Sequence, residues 1–226
     1  DMKHVEESQK AVEELKKQAI LDRDQKFHAP ADKAELDAVM SGMDSYGKAF
    51  MQYVALEKKR NEALSRIREI ADKVVRTEVT AMQEDQTKKL KEQLAQQAGG
   101  TDAAAMADRN AKLGDRAEKV AQASQMLIYF KDARIGEKEI FITNGKDETY
   151  IKRNQEGSNG ALKVAQALLP TFTTQSNIDQ VKKIMSGIEQ YQKEISLILE
   201  AIKEQAKAEQ ELIAARRAAN EKLNAV

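Results

Sequence analysis

Hydrophobic residues recur along most of the chain at intervals of three and four residues, the spacing that places them on one face of an α-helix. The pattern predicts a first helix over 5–21 and a long second helix from about Ala31 to Ala98. Asp32 is the predicted N-terminal cap of the second helix. The stripe of this helix comprises Leu36, Met40, Met43, Tyr46, Phe50 and Val54 (or Tyr53), then Leu64, Ile67, Ala71, Val74, Met82, Leu90 and Leu94.

Three further helices are predicted in the second half of the chain. One runs from Thr101 or Asp102 towards 143 and ends at a turn formed by 144–147, which reads Asn-Gly-Lys-Asp. A shorter helix follows over about 148–169, with Gly157 and Gly160 weakening its middle. The last helix begins near Ser176, whose spacing to Asp179 predicts a capping box.

An internal repeat divides the chain. Met40-Ser41-Gly42, followed by Tyr46, reappears as Met185-Ser186-Gly187, followed by Tyr191. Both copies lie near the start of a long helix and follow a Pro-containing loop after a shorter helix. The matching architecture favours a duplication.

The repeat predicts two modules, 1–98 and 101–226. Only the second copy is preceded by a further helix, so the counterpart of that helix is expected to be missing from the first module. The predicted fold is all-α, with two stacked four-helix bundles that share two long helices and meet at the charged stretches 57–62 and 203–211.

Composition agrees with a helical chain and argues against several functions. The sequence has ten Gly, two Pro and ten aromatic residues, and 33% of its residues are charged. Its 37 basic and 37 acidic residues balance, so nucleic acid is not an expected partner. The two His and the absence of Cys provide no metal-ligand cluster, and no catalytic motif or cofactor loop is present. We therefore expect a protein that is not an enzyme.

One short motif resembles a known family. Residues 133–141, Ala-Arg-Ile-Gly-Glu-Lys-Glu-Ile-Phe, followed by Gly145, Asp147 and Tyr150, are similar to a helix, turn and helix start of the helical bimodular sensor domain of bacterial chemotaxis receptors. The family has Phe in place of Ile140, and its turn differs in length. The resemblance implies an extracytoplasmic, periplasmic domain of an inner-membrane receptor, flanked by transmembrane helices. It also implies a homodimer that binds small metabolites, often carboxylates.

A carboxylate ligand requires a cation, and the guanidinium fork of Arg134 suits one best. Arg134 is the main candidate, with Lys138 as a second cation and the hydroxyls of Tyr150, Tyr191 and Thr143 as polar contacts. Each has an ordinary structural alternative. Lys138 is expected to be solvated, Tyr191 to pack in the core, and Arg134 to pair with Glu137 or Glu139 along the helix surface.

Two other functions remain open on the sequence. Long charged helices also build coiled-coil scaffolds, and the sensor region of a histidine kinase would share the predicted fold. Flanking transmembrane helices and a following methyl-accepting coiled coil would separate these alternatives. In the receptor hypothesis, an apolar groove along Val12, Leu15, Met43, Tyr46 and Phe50 needs a second chain or a further helix to cover it.

Overall fold

The computed structural model describes residues 2–25, 29–95 and 103–223, and about 95% of these residues are helical. The described ranges contain no strand, which confirms the all-α prediction. The α-helices are α1 (Met2–Gln25), α2 (Pro30–Glu69), α3 (Thr77–Ala95), α4 (Ala103–Ile142), α5 (Glu148–Leu168) and α6 (Gln175–Leu223). A π-helical segment, Ile70–Arg76, joins α2 to α3, and a 3₁₀ turn, Leu169–Thr171, follows α5.

Around the first loop, the predicted end of the first helix and the predicted cap of the second are wrong, whereas the second helix starts within one residue of Ala31. α1 continues to Gln25, four residues beyond the predicted end, and Arg23 in its last turn donates a hydrogen bond to Asp37 at 3.0 Å. α2 begins at Pro30, because the fixed φ of proline and its missing N–H suit the first helical position. Asp32 therefore lies in the first turn of α2 rather than at its cap. Residues 26–28 lie outside the described ranges.

The π-helical segment was not predicted. The hydroxyl of Thr77 donates to the carbonyl of Asp72, five residues earlier, at 2.8 Å. Hydrophobic residues recur here at intervals of four. With 3.6 residues per turn, residues spaced by four would move progressively around the helix, whereas the wider π-helical turn keeps them on one face. The hydrophobic residues spaced by four extend through this segment and beyond both of its ends, and each is at most 2% exposed: Ala63, Ile67, Ala71, Val75 and Val79. The side chain of Val74, the predicted stripe residue, lies outside the description.

The structure confirms the predicted turn at 144–147, between α4 and α5. Asn144 and Gly145 both have positive φ, at 51° and 66°, and the Gly145 N–H donates to the carbonyl of Ile140 at 2.8 Å. The side chain of Asp147 then caps α5 by accepting from the Thr149 N–H at 2.9 Å. This turn fixes the direction in which α5 returns along α4.

α6 starts within one residue of its predicted start, but without the predicted cap. The helix begins at Gln175, and the carboxylate of Asp179 accepts a hydrogen bond from the Gln175 side chain at 2.7 Å. The predicted capping box between Ser176 and Asp179 is therefore not formed.

The chain divides into two compact units. The first comprises Asp1–Asn61 and Glu200–Val226, and the second comprises Glu62–Leu199. α2 and α6 each supply residues to both units. Met40 lies in the first unit and Met185 in the second, and each lies ten residues after the first residue of its helix. The two repeat copies thus occupy the same position along two different helices.

The second unit has the larger core among the described residues. Its fully buried side chains come from the end of α2, the π-helical segment and α3 to α6, and they include Ile67, Val75, Met82, Met126, Ile140, Leu168, Ile184, Ile188, Tyr191 and Ile198. Fewer residues are buried in the first unit, and several of them are alanines. The polar Gln205 is also buried there, and its side chain donates to Glu57 at 2.5 Å. The second unit is therefore the better-defined scaffold for a site.

Candidate functional site

The site in the second unit is built on direct backbone contact between α4 and α5. A Cβ atom placed on Gly136 would lie 2.7 Å from the backbone nitrogen of Asn154, and one on Gly157 would lie 2.5 Å from that of Ala133. Real side chains do not tolerate such distances, so only glycine fits at both positions. Gly157 therefore serves close helix packing, and the sequence interpretation of a weakened helix middle missed this role.

A buried polar network lies beside this contact and joins three helices. Tyr191 of α6 is fully buried, and its hydroxyl donates to Oε2 of Glu137 of α4 at 2.9 Å. Asn154 of α5 donates to the Tyr191 hydroxyl and to the carbonyl of Ala133, both at 2.8 Å. The ring of Phe130 meets the Tyr191 ring edge-on, with centroids 5.1 Å apart. Satisfied buried networks of this kind rigidify a core and specify one arrangement of its helices.

Arg134 connects this network to the surface. Its Nη1 donates to Oε2 of Glu137 in an ion pair, and its side chain is 21% exposed whereas that of Glu137 is 3% exposed. Of the two expected partners, Arg134 contacts Glu137, and the expectation that the pair lies along the helix surface is wrong. Among the described residues, Nε and Nη2 of Arg134 donate to no protein acceptor.

Burial and neighbouring charges oppose each other at Glu137. Burial raises the pKa of Glu137, while Arg134, the Tyr191 hydrogen bond and, least of these, Arg68 of α2 lower it. Burial and the Glu137 charge also raise the pKa of Tyr191 far above its ordinary value, so the phenol remains a neutral donor. Two guanidinium groups therefore act on one buried carboxylate, and the local balance is positive when Glu137 is ionised.

The other predicted site residues do not join this network. Tyr150 is half-buried at the start of α5, and its carbonyl lies against Gly136. Lys138 is exposed, which agrees with the expectation that it is solvated. The hydroxyl of Thr143 donates to the carbonyl of Glu139 at 2.7 Å, within its own helix. Of the five predicted residues, the structure connects Arg134 and Tyr191, through a Glu137 that the sequence analysis left outside the site.

Sequence reasoning also missed Asn154. A signal was present, because Asn154 shares helical spacing with the residues that α5 buries, which are Gly157, Ser158, Ala161, Ala165 and Leu168. A polar side chain on a buried face needs a hydrogen-bond partner. Gly136 and Gly157 have no side chain whose size or polarity would indicate which helix packs against that face.

The first unit contains an apolar groove of about 440 Å³ between α1 and α2. Tyr46 and Phe50 line it with stacked rings whose centroids are 6.4 Å apart, and Lys16 and Asp44 form an ion pair at its edge. Tyr46 is the repeat counterpart of the buried Tyr191 but is only half-buried, and Leu15 of α1 is 58% exposed. Of the five predicted groove residues, Val12, Tyr46 and Phe50 belong to this lining, whereas Leu15 and Met43 do not.

Comparisons of the chain with protein-family models, with curated proteins and with solved structures found no match. Across 2–25, 29–95 and 103–223, no three potential ligand side chains are grouped to hold a metal ion. No helix in these ranges is long and apolar enough to cross a membrane. The geometry of the chain and its short sequence motif are therefore the basis for inferring its function.

Proposed function

We propose that this chain is the ligand-binding sensor domain of a bacterial receptor and that it binds a small organic acid at Arg134. The observation that carries the proposal is the state of that guanidinium group. Arg134 is held from the inside by the buried Glu137, and its Nε and Nη2 edge is left without an acceptor among the described residues. Such an edge matches a carboxylate, which accepts two parallel hydrogen bonds.

The network also offers a route for a signal. A ligand on Arg134 acts on Glu137 of α4, which is bonded to Tyr191 of α6, and α6 supplies residues to both units. A ligand shifts a conformational equilibrium only by binding one state better than the other. A three-helix network whose bonds change on binding provides that difference.

The finer architecture belongs to the same proposal. Each compact unit holds one copy of the Met-Ser-Gly repeat at the same helix position, which supports two helical-bundle modules that share α2 and α6. By its resemblance to receptor domains, we place this module in the periplasm, between transmembrane helices outside this sequence. A histidine kinase sensor domain would have the same site, and the flanking coding sequence distinguishes the two.

The binding test uses calorimetry of the 226-residue chain with acetate, propionate, succinate and related acids. Arg134→Ala is expected to weaken the bound acid by about 2–4 kcal/mol, roughly 30- to 1000-fold, because a charge-assisted pair is lost. Arg134→Lys keeps the charge but loses the fork, and is expected to weaken binding by about tenfold or more.

Lys131→Ala is the matched control for this test. Lys131 is an exposed cation on the same helix, one turn before Arg134. Its removal changes the net charge equally and is expected to leave affinity within about twofold, since exposed charges contribute little. Equal binding by the wild type and both Arg134 variants would show that Arg134 is structural and that the assigned site is wrong.

We further propose that a second copy of the chain covers the groove of the first unit and forms the homodimer. Analytical ultracentrifugation is expected to find a concentration-dependent dimer, because large apolar patches seldom face water on monomers. Leu15→Glu places a charge beside the groove and is expected to weaken the dimer at least tenfold. Ile128→Glu, at a comparably exposed residue of the second unit, is expected to leave it unchanged.

This experiment also addresses the scaffold alternative, which the open groove favours. Dimerisation through the groove without binding of any acid would support a helical interaction protein instead of a sensor. A monodisperse monomer at all concentrations would contradict both the dimer and the scaffold.

A further inference from the structure

The guanidinium of Arg134 has an occupied side and an open side. Nη1 donates to Oε2 of Glu137, the same oxygen that accepts from the Tyr191 hydroxyl. Asn154 in turn donates to that hydroxyl at 2.8 Å, so the position of the carboxylate is fixed by side chains from three helices. Because only Nη1 is occupied, the Nε and Nη2 edge remains for a planar bidentate partner.

We infer that Glu137 is the positioning residue of the acid site and that each acid bound to Arg134 is accompanied by uptake of a proton at Glu137. The inference rests on the proposed function and adds a residue and a proton to it. Glu137 does not contact the ligand in this arrangement. It acts through Arg134, whose Nη1 it holds in an ion pair while the Nε and Nη2 edge has no acceptor among the described residues.

The physical reason is competition between two carboxylates for one guanidinium. The charged groups that act on Glu137 are Arg134 from its own helix and Arg68 from α2, whereas α5 and α6 present the neutral side chains of Asn154 and Tyr191. An acid placed on Arg134 brings a second negative charge to these cations, and like charges within one site disfavour double ionisation. Burial already disfavours the ionised form of Glu137.

The balance of the step is simple. The ligand arrives as a monoanion, Glu137 takes a proton from solvent onto a carboxylate oxygen, and no other bond is made or broken except hydrogen bonds. One carboxylate of the pair then remains charged, which matches the charge state before binding. Affinity is therefore expected to be highest when Glu137 is already protonated and to fall as pH rises.

The proposal is tested by calorimetry with two probes of similar size, acetate and ethanesulfonate. The sulfonate stays ionised throughout, so its pH dependence reports the protein rather than the probe. Titrations in two amine buffers of different ionisation enthalpy give the number of protons taken up. For the wild-type chain we expect uptake approaching one proton, and up to a tenfold loss of affinity per pH unit above the pKa of Glu137 in the free protein.

Glu137→Gln is the decisive variant, because the amide oxygen still accepts from Arg134 and Tyr191 but cannot take up a proton. Proton uptake and the pH dependence are expected to vanish, and affinity at about pH 8 is expected to rise about tenfold, since the competing charge is gone. Glu139→Gln, two residues along the same helix, is the control and should retain the wild-type proton uptake. Circular dichroism establishes that each variant is folded.

The outcomes separate this inference from the proposed function. If Arg134→Ala abolishes binding while Glu137→Gln keeps the wild-type proton uptake, the acid site stands and the role of Glu137 is overturned. If Arg134→Ala binds both probes as the wild type does, the site itself is wrong. Failure of the wild type to bind either probe overturns both.

Discussion

Replacement of Gly136 by alanine is expected to lower the free energy of unfolding by about 1–3 kcal/mol, because overpacking at a close helix contact forces the backbones apart. The added Cβ would lie 2.7 Å from the Asn154 nitrogen and 2.8 Å from the Tyr150 carbonyl oxygen. Both are backbone atoms of α5, which cannot turn aside as a side chain does. Urea denaturation, followed by the helical circular dichroism signal, measures the change.

Gly114 provides the matched control on the same helix. A Cβ at Gly114 would meet nothing within 4 Å, and the residue is exposed. Gly114→Ala is therefore expected to stabilise the chain by about 0.5–1 kcal/mol through helix propensity alone. If both alanine variants stabilise the chain, α4 and α5 are not in backbone contact, and the proposed arrangement of the site on these two helices is wrong.

The sequence predicted the helices well where a local signal decides the structure. The apolar periodicity of α4 and α6 and the Asn144-Gly145 turn depend on residues within a few positions of one another, and Asp147 caps the next helix through its own side chain. Such features follow from short-range sterics and hydrogen bonding. They are therefore readable in one sequence.

Features that depend on distant residues were missed. The buried state of Glu137 requires Tyr191, which is 54 residues away, and the contact between Gly136 and Asn154 exists only once α5 lies against α4. The sequence spacing of Glu137 to Arg134 is equally compatible with a surface ion pair. A spacing of four from Ala63 to Val79 was a local signal for the π-helical segment, whereas the predicted stripe followed Leu64 and Val74 in place of the buried Ala63 and Val75.

Removal of the Arg134 side chain is expected to destabilise the fold at neutral pH, whether or not a ligand exists. Arg134→Ala leaves Glu137 buried without its nearest cation, and loss of one partner of a buried pair costs about 2–3 kcal/mol when the partner is partly exposed. Arg153→Ala is the control, since it breaks an exposed 2.8 Å ion pair with Asp132 between α4 and α5. That pair is expected to contribute less than about 1 kcal/mol.

The pH dependence of the Arg134→Ala variant identifies Glu137 as the cause. Burial raises the pKa of Glu137 above its ordinary value of 4.5, so the fold favours the neutral carboxyl, and this contribution to stability is fully present below 4.5 and lost as pH rises through the pKa of the folded state. Arg134 opposes that rise, so the loss is expected to be greater in the variant. Urea denaturation at about pH 5 and pH 8 should show the larger deficit at pH 8.

A double variant separates the charge of Glu137 from the packing of Arg134. Glu137→Gln removes the buried charge, so in that background Arg134→Ala is expected to cost about 1 kcal/mol or less, and the pH dependence to disappear. The coupling follows because the two residues share one bond and one buried charge. If Arg134→Ala costs the same in both backgrounds, the Arg134 side chain stabilises α4 only by packing, and Glu137 is neutral in the folded protein throughout this pH range.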